Sequence, residues 1–414
     1  MKHDVLVLGA GMVGTCTALH LRQRGHAVAL VDRHAPGQAT SHGNAGIIQR
    51  EAVAPYAFPR SLGKLLAVLF KRGADVNYHL SALPGAAPGL VRYWRNSGPA
   101  RYPAIAAAYA SLIEHATSEH APLISAAGAE DLVRREGYLH VYRDPATLDA
   151  AVRLAHELAD RHGLNQRPLD AAALAATEPA LRPGLAGAVH WQDPWTVSDP
   201  GELVKRYARH FQHLGGSLLT GDALSLKQTA DGWSVATADG PVEAGQAVVA
   251  LGPWSDALLG PMGYPPSLLF KRGYHQHYAA PRPPRLPLLD ADRGLVLAPM
   301  QRGVRLTTGA EFARRDAPAT PWQLARAESM ARELLDLGPP VDPQPWLGAR
   351  PCTPQMKPLI GPAPRHRGLW FNFGHGHQGF TLGPISGRLV AEMVDGDRPC
   401  LDVTPFSPQG LHAG

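Results

Sequence analysis

The chain has 414 residues, a net charge of +5, 45% hydrophobic and 18% charged residues, and three scattered cysteines, Cys16, Cys352 and Cys400. That length is too great for one simple core, and the composition is that of a folded protein rather than a disordered or fibrous one. The cysteines form neither a disulfide framework nor a metal-ligand spacing, no apolar run is long enough to span a membrane, and the basic residues lack interleaved aromatics; these features argue against a secreted scaffold, a metal centre and a nucleic-acid groove, and predict a cytoplasmic protein, at most peripheral to a membrane.

The first 33 residues read strand, glycine turn, helix, strand. Val5-Leu6-Val7-Leu8 runs into Gly9-Ala10-Gly11-Met12-Val13-Gly14, and Val28-Ala29-Leu30-Val31 ends in Asp32 and Arg33. In such a unit the first glycine permits the tight turn and the second lets the backbone approach a pyrophosphate. The third lets the helix pack close to the sheet, the helix N-terminus faces the phosphates, and the acid accepts hydrogen bonds from a ribose. The pattern predicts a bound dinucleotide, FAD or NAD, without choosing between them. A loop of small residues follows, Ser41-His42-Gly43-Asn44-Ala45-Gly46, running into Ile47 and Ile48.

Residues 61–73 are an apolar helix candidate bounded by cations, read as a packed helix, with a membrane-touching or site-covering helix as alternatives. Residues 103–127 and 146–162 are helical in pattern, and 134–143 alternate like a strand. Asp199 is a candidate N-cap, with Pro200 at the first helical position and Gly215-Gly216 ending the helix. Strands are expected around 233–238 and 246–252, an antiparallel sheet over 268–312, a strand at 369–373 and a final helix over 380–394. Cofactor-type segments at the beginning, middle and end predict a discontinuous nucleotide-binding domain, 1–60, 195–255 and 345–414. The substrate domain is then 61–194 and 256–344, with a helical insertion.

Three later segments choose the cofactor through resemblance. Val248-Val249-Ala250-Leu251-Gly252-Pro253-Trp254-Ser255 resembles the second cofactor segment of FAD-dependent amine and amino-acid oxidoreductases. Gly348-Ala349-Arg350-Pro351-Cys352-Thr353-Pro354, followed by Pro358-Leu359-Ile360-Gly361, resembles their substrate-carboxylate motif. Gly374-His375-Gly376-His377-Gln378-Gly379-Phe380 resembles the loop that meets the isoalloxazine before the last helix. With the 41–46 loop, these segments are similar to the bacterial D-amino-acid dehydrogenase branch of the D-amino-acid oxidase superfamily, from residue 4 to about 400.

The resemblance implies an α/β fold: a discontinuous Rossmann-like FAD-binding domain beside a substrate domain with a mixed or antiparallel sheet. FAD is then held by Gly9, Gly11, Met12, Val13, Gly14, Asp32 and Arg33, by Ser41, His42, Asn44, Ala45, Gly46 and Ile48, by Gly252 and Trp254, and by His375, Gly376, His377, Gln378 and Gly379. A helix opening at Gly379 would set N–H groups and a positive dipole end against the flavin N1–C2=O edge. The implied reaction oxidises the Cα–N bond of a D-amino acid, or of a cyclic D-proline-type one, by hydride transfer to flavin N5. The imine then hydrolyses to a 2-oxo acid and ammonia, and the electrons pass to a quinone or a carrier. A secondary-amine oxidase of the sarcosine or glycine type and a non-catalytic FAD-binding subunit are the alternatives.

Arg350 is the expected carboxylate clamp, because a guanidinium fork matches a carboxylate bidentately. Tyr274 is open between a second carboxylate contact and a structural tyrosine. His377 is open between proton transfer and a packing or hydrogen-bonding role in the flavin loop, since an unperturbed imidazole titrates near pH 6.5. Metal binding is not expected, because no carboxylate or cysteine cluster accompanies the two histidines. Cys352 reads as an inert side chain. Family members carry an acid after Thr-Pro where this chain has Gln355, which alters the charge balance expected beside Arg350.

Overall fold

In the computed structural model, which describes residues 3–61, 63 and 76–411, the chain builds three β-sheets with helices packed on them. The helix expected over 61–73 lies almost entirely outside the described residues. Among the described residues no helix is long and apolar enough to cross a membrane.

The first sheet is Rossmann-like. Strand His3–Leu8 runs parallel to Val28–Asp32 on one side and to the second half of Gly240–Val249 on the other. The start of Ser217–Gln228 continues the parallel array beyond Val28–Asp32, and Leu369–Phe373 continues it beyond Gly240–Val249. Leu359–Pro362 closes that edge antiparallel. The far part of Ser217–Gln228, Trp233–Thr237 and the start of Gly240–Val249 form an antiparallel excursion that returns the chain to the sheet centre. The central strands read as unbroken apolar runs because both faces are covered, and Val5–Leu8 and Ala29–Val31 are fully buried.

Helix Met12–Gln23 and the last helix, Gly379–Asp395, pack together on one face of this sheet. Their approach is set by glycine: a Cβ on Gly383 would lie 2.7 Å from Met12 Cγ, and one on Gly387 would lie 2.7 Å from Thr17 N and 2.8 Å from Cys16 C. Helix Pro200–His213 begins as expected, with Asp199 Oδ1 accepting from Glu202 N at 2.9 Å. Its Leu203, Val204, Tyr207 and Phe211 are buried in the same core.

The second sheet is mixed but mainly antiparallel. Leu269–Tyr278 lies between Gly303–Thr307 and Trp346–Cys352, and the sheet extends through Leu295–Met300 and Leu288–Asp290 to Tyr138–Tyr142, Gly187–Trp191 and Gln166–Asp170. A small third sheet joins Ile47–Ile48, Trp195–Val197 and Val133–Arg134.

Two expected elements are each divided. The strand over 134–143 splits at Gly137, whose φ is +75° and whose missing Cβ would lie 1.9 Å from Trp191 O. Val133–Arg134 therefore joins the small sheet and Tyr138–Tyr142 the large one. The helix over 103–127 is two helices, Tyr102–Ile113 and Ala116–Ala126. At the break, His115 Nδ1 bonds the Ser111 carbonyl at 2.9 Å, the acceptor that a continuing helix would give to the His115 N–H.

Substituting Gly387→Ala is expected to destabilise the protein by about 1–3 kcal/mol, because backbone rather than a flexible side chain stands in the way. A lowered melting temperature would verify it; unchanged melting would show that the two helices separate freely.

Burial lowers the pKa of His20, His120 and His140 to about 4, of His375 and His377 to about 3, and of His275 to about 2. Each binds its proton more readily in the unfolded chain. Their contribution is complete above about pH 6.5 and is lost as pH falls, with a slope of at most about 1.4 kcal/mol per pH unit for each. Glu51, raised to about 7, acts in the opposite sense between pH 4.5 and 7 and offsets part of the loss. The melting temperature should fall steeply from pH 6.5 to 5, and a flat profile would contradict neutral burial of these rings.

Candidate active site

A cleft of about 1340 Å³, counting its open mouth, runs along the ends of the parallel strands towards the second sheet. Its first end is the opening motif. Gly9 turns the chain at φ +104°, where a Cβ would meet Ala250 O at 2.6 Å, and a Cβ on Gly14 would meet Gly9 O at 1.8 Å. Gly11 caps the first helix, and a Cβ there would meet only Ser41 Oγ, at 3.4 Å, so its backbone is open to a ligand. Ser41 Oγ accepts from Met12 N at 2.9 Å. The other first-turn N–H groups have no intrahelical acceptor and sit at the positive end of the helix dipole. Asp32 Oδ2 accepts from Ala10 N at 2.7 Å and Oδ1 from His34 N at 2.9 Å. The carboxylate thus braces the glycine turn while keeping lone pairs for a ribose. Arg33, Asn44, Gly252 and Trp254 also line the cleft.

Gly14, His42, Ala45, Gly46, Ile48 and Gln378 stand behind these lining residues. Gly46 takes φ +70°, donates to Asn44 Oδ1 at 2.8 Å and accepts from Val197 N at 2.6 Å. Ile48 is fully buried against Trp195, and Ala45 packs on the core. Arg305, which the sequence reading missed, donates to the carbonyls of His42 at 2.8 Å and Asn44 at 2.5 Å and so pins this loop to the second sheet.

The other end of the cleft is built by paired strands. In register, Lys271 faces Arg350, Gly273 faces Gly348 and His275 faces Trp346. The Arg350 guanidinium lies across Gly273, where a Cβ would be 2.6 Å from Nη2. It donates to Gly309 O at 2.9 Å and Thr308 O at 3.1 Å. No carboxylate is among these partners, and burial pulls its pKa down without threatening its charge. A fixed, lined guanidinium without a counter-ion is suited to a ligand anion.

The Trp346 indole forms the neighbouring wall, stacked on His275 at 4.9 Å and 14°. A Cβ on either Gly43 or Gly348 would fall 1.9 Å from its ring. Trp346, Gly273, Gly348 and Gly43 are contributors that sequence reasoning did not assign. The glycines are visible inside the motif segments, but their shared purpose is not.

Of its two readings, the Tyr274 hydroxyl follows the structural one. Successive residues of a strand face opposite ways, so with Gly273 beneath Arg350 the Tyr274 side chain points behind the sheet. Its hydroxyl accepts from Thr320 N at 2.7 Å and lies 3.4 Å from Glu311 Oε2, in a buried group where Arg272 Nη2 meets Glu311 Oε2 at 2.6 Å. The residue itself borders the cleft, but its hydroxyl is engaged in that buried group. Gln355 is a correction: it is exposed, so the missing acid does not change the wall against Arg350.

The glycine-histidine loop closes the cleft. Gly374 and Gly376 have φ of +85° and +62°, and Gly376 N donates to Pro351 O at 2.9 Å, tying the loop to the Arg350 strand. His375, Gly376, His377, Gly379 and Phe380 line the cleft, and Gln378 caps the last helix. The His377 ring lies 5.0 Å from Tyr56, and burial, with Arg350 and Lys271 nearby, keeps it neutral. Cys352 is a free thiol paired with His375 through a backbone bridge. Among the described residues no group of histidines, cysteines and acids is placed to hold a metal.

These features fit FAD. Two helix N-termini open on one cleft, one at the glycine turn and one at Gly379. The buried His375 Nε2 has no partner among the described residues, and would supply a contact beside the flavin. The cleft runs from an open glycine turn suited to a pyrophosphate to an end with aromatic lining suited to a ring system.

Comparisons with known proteins agree. The profile of the family described as "DAO: FAD dependent oxidoreductase" matches residues 4–393. The chain is 32% identical to a D-amino-acid oxidase of Bradyrhizobium diazoefficiens over 98% of both proteins, and 32% identical to a D-amino acid dehydrogenase of Paramagnetospirillum magneticum over 95% of both. In solved structures its fold is similar to glycine oxidase from Geobacillus kaustophilus, with a TM-score of 0.73, 22% identity, and coverage of 100% of this chain and 99% of the other. With the motif segments, the cleft and these matches in one register, the chain belongs to the DAO family of FAD-dependent oxidoreductases.

Proposed function

We propose that this flavoenzyme oxidises the Cα–N bond of D-amino acids or of cyclic D-proline-type ones; a primary D-amino acid gives an imine that hydrolyses to a 2-oxo acid and ammonia, whereas a ring substrate gives a cyclic imine that keeps its nitrogen. The observation that carries the reading is Arg350: a fixed guanidinium at the aromatic end of a dinucleotide cleft, held by two carbonyls and lacking a carboxylate partner. The names of the relatives support the D-amino-acid class; one is a dehydrogenase and the other an oxidase, and the dehydrogenase reading taken here hands the electrons to a quinone or a carrier.

Bound FAD supplies the hydride acceptor. Arg350 holds the substrate carboxylate through its fork, which fixes the orientation of Cα and selects the hydrogen presented to the cofactor. Gly273 leaves room for that fork to lie flat, and the Thr308 and Gly309 carbonyls prevent its rotation. Trp346, stacked on His275, walls the site and limits water. His377, neutral at working pH, orients the site beside Arg350 instead of serving as a cationic acid. The N-terminus of the last helix, at Gly379, would set a positive dipole end against the negative charge that a bound flavin carries when reduced.

Anaerobic addition of pooled D-amino acids should bleach the visible flavin spectrum, while the L-pool should not. A flavin bleached by glycine derivatives irrespective of chirality would favour a secondary-amine oxidase. Arg350→Ala should keep the oxidised flavin spectrum and lose about a hundredfold or more in kcat/KM, the cost of about 3 kcal/mol for a charge-assisted pair. Tyr274→Phe should leave KM nearly unchanged and lower stability by about 1 kcal/mol; a large rise in KM would restore Tyr274 to the carboxylate site.

A further inference from the structure

The cleft face of the strand Leu269–Tyr278 carries a second cation beside Arg350. Residues directly opposite each other on neighbouring strands turn to the same face. Lys271 is paired with Arg350 on one side and with Phe312, from the strand Ala310–Phe312, on the other. Gly273 and His275 follow on that face, and Gly273, Arg350 and Trp346 line the cleft. Lys271 is therefore the next side chain along the wall, on the side of Arg350 away from Trp346.

Its ammonium is held without an acid. Nζ donates to the Tyr93 hydroxyl at 3.2 Å and lies 4.4 Å from the centre of the Tyr93 ring and 5.6 Å from that of Phe312. The Tyr93 hydroxyl donates its own proton to Tyr56 O at 2.6 Å, so towards Lys271 it can only accept. Aromatic faces stabilise an ammonium without neutralising it. An ammonium has three N–H donors, and the Tyr93 hydroxyl is the one hydrogen-bond acceptor of Nζ among the described residues. Glu311, on the strand beside Lys271, turns to the other face and is spent on Arg272.

The same wall is continuous with the lining of the cleft. The Tyr56 ring packs 5.0 Å from His377, which lines it. Burial first, and then the charges of Arg350 and Lys271, lower the pKa of His377, so both cations act on one lining ring.

We propose that Lys271 reads a second anionic group on the substrate: with the α-carboxylate on Arg350, the side-chain carboxylate of a dicarboxylic D-amino acid takes the unused donors of Lys271. This specificity rests on the reading of Arg350 as the α-carboxylate clamp and names the side chain that reading leaves open. The Arg350 guanidinium lies across Gly273, and two residues of strand put the base of Lys271 roughly 7 Å from Gly273. That span suits the glutamate skeleton better than the shorter aspartate one. Cationic side chains are repelled by the same pair of charges, and neutral ones leave the ammonium donors unpaired.

The test compares D-glutamate with D-glutamine, which has the same shape and no side-chain charge, as anaerobic reductants of the holoenzyme. Wild type should favour D-glutamate by about tenfold or more in kcat/KM, mainly through KM. In Lys271→Met that ratio should fall to near one, and in Lys271→Glu it should invert, with D-lysine gaining. A wild type that reduces equally with both, or an unchanged ratio in Lys271→Met, overturns the proposal. If neither variant retains FAD, wild type decides through the flavin spectrum: glutarate should perturb it at a concentration about tenfold lower than its monoamide does, and equal titrations overturn the proposal. A flavin bleached by D-glutamine and D-glutamate alike leaves the Arg350 reading standing and removes only the role of Lys271. A flavin that no amino acid bleaches overturns the Arg350 reading, and this specificity with it.

Discussion

The contact between the first and last helices sets the geometry on which everything else depends. Gly383 against Met12 and Gly387 against Cys16 and Thr17 let two backbones approach as no larger residue would allow. The helices lie far apart in sequence, yet both open their N-termini on the same cleft, one at Gly11–Val13 and the other at Gly379–Phe380. The positive ends of two dipoles are thereby held at a fixed separation. A dinucleotide with anionic phosphates at one end and an electron-accepting ring at the other is the ligand that uses both ends. The close packing is therefore what converts a nucleotide fold into a flavin site.

Charge is sorted by strand alternation. On Leu269–Tyr278, Arg272 and Tyr274 face backwards and are consumed with Glu311, while Gly273 and His275 face the cleft. The acid that would neutralise a cleft cation is thus already engaged behind the sheet, and Arg350 is left free for a ligand. Burial keeps His275, His375 and His377 uncharged, so they add no competing cation where the carboxylate must be read. The Arg350 guanidinium, held at a fixed angle by two carbonyls, gives an anchoring point whose fork sets orientation.

Much of this was legible in the sequence because the chemistry demands local glycine. Gly9 and Gly14 announce a turn and a tight helix, and the structure shows both; Gly11, read as a point of close ligand approach, has open space where its Cβ would be apart from Ser41 Oγ. Asp32 was legible as a strand-tip acid, but its bonds to Ala10 and His34 depend on a turn geometry that spacing does not report. Tyr274 stayed open between two roles because one strand has two faces, and only the pairing of Gly273 with Gly348 reveals which side chain turns inward.

The Trp346 slot shows why such features escape a linear reading. Its indole occupies volume released by Gly43, from the loop after the second parallel strand, and by Gly348, two residues along its own strand. Either glycine alone reads as ordinary loop or strand composition. Together they define a cavity for one ring, and His275 supplies the flat surface against which it stacks. Because Gly43 also belongs to the loop that Arg305 pins through the carbonyls of His42 and Asn44, a side chain at position 43 would disturb two things at once. It would push the indole into the cleft and lift the loop from the second sheet. The substrate wall and the cofactor loop are thus specified by the same small residue, which couples the shape of one site to the seating of the other.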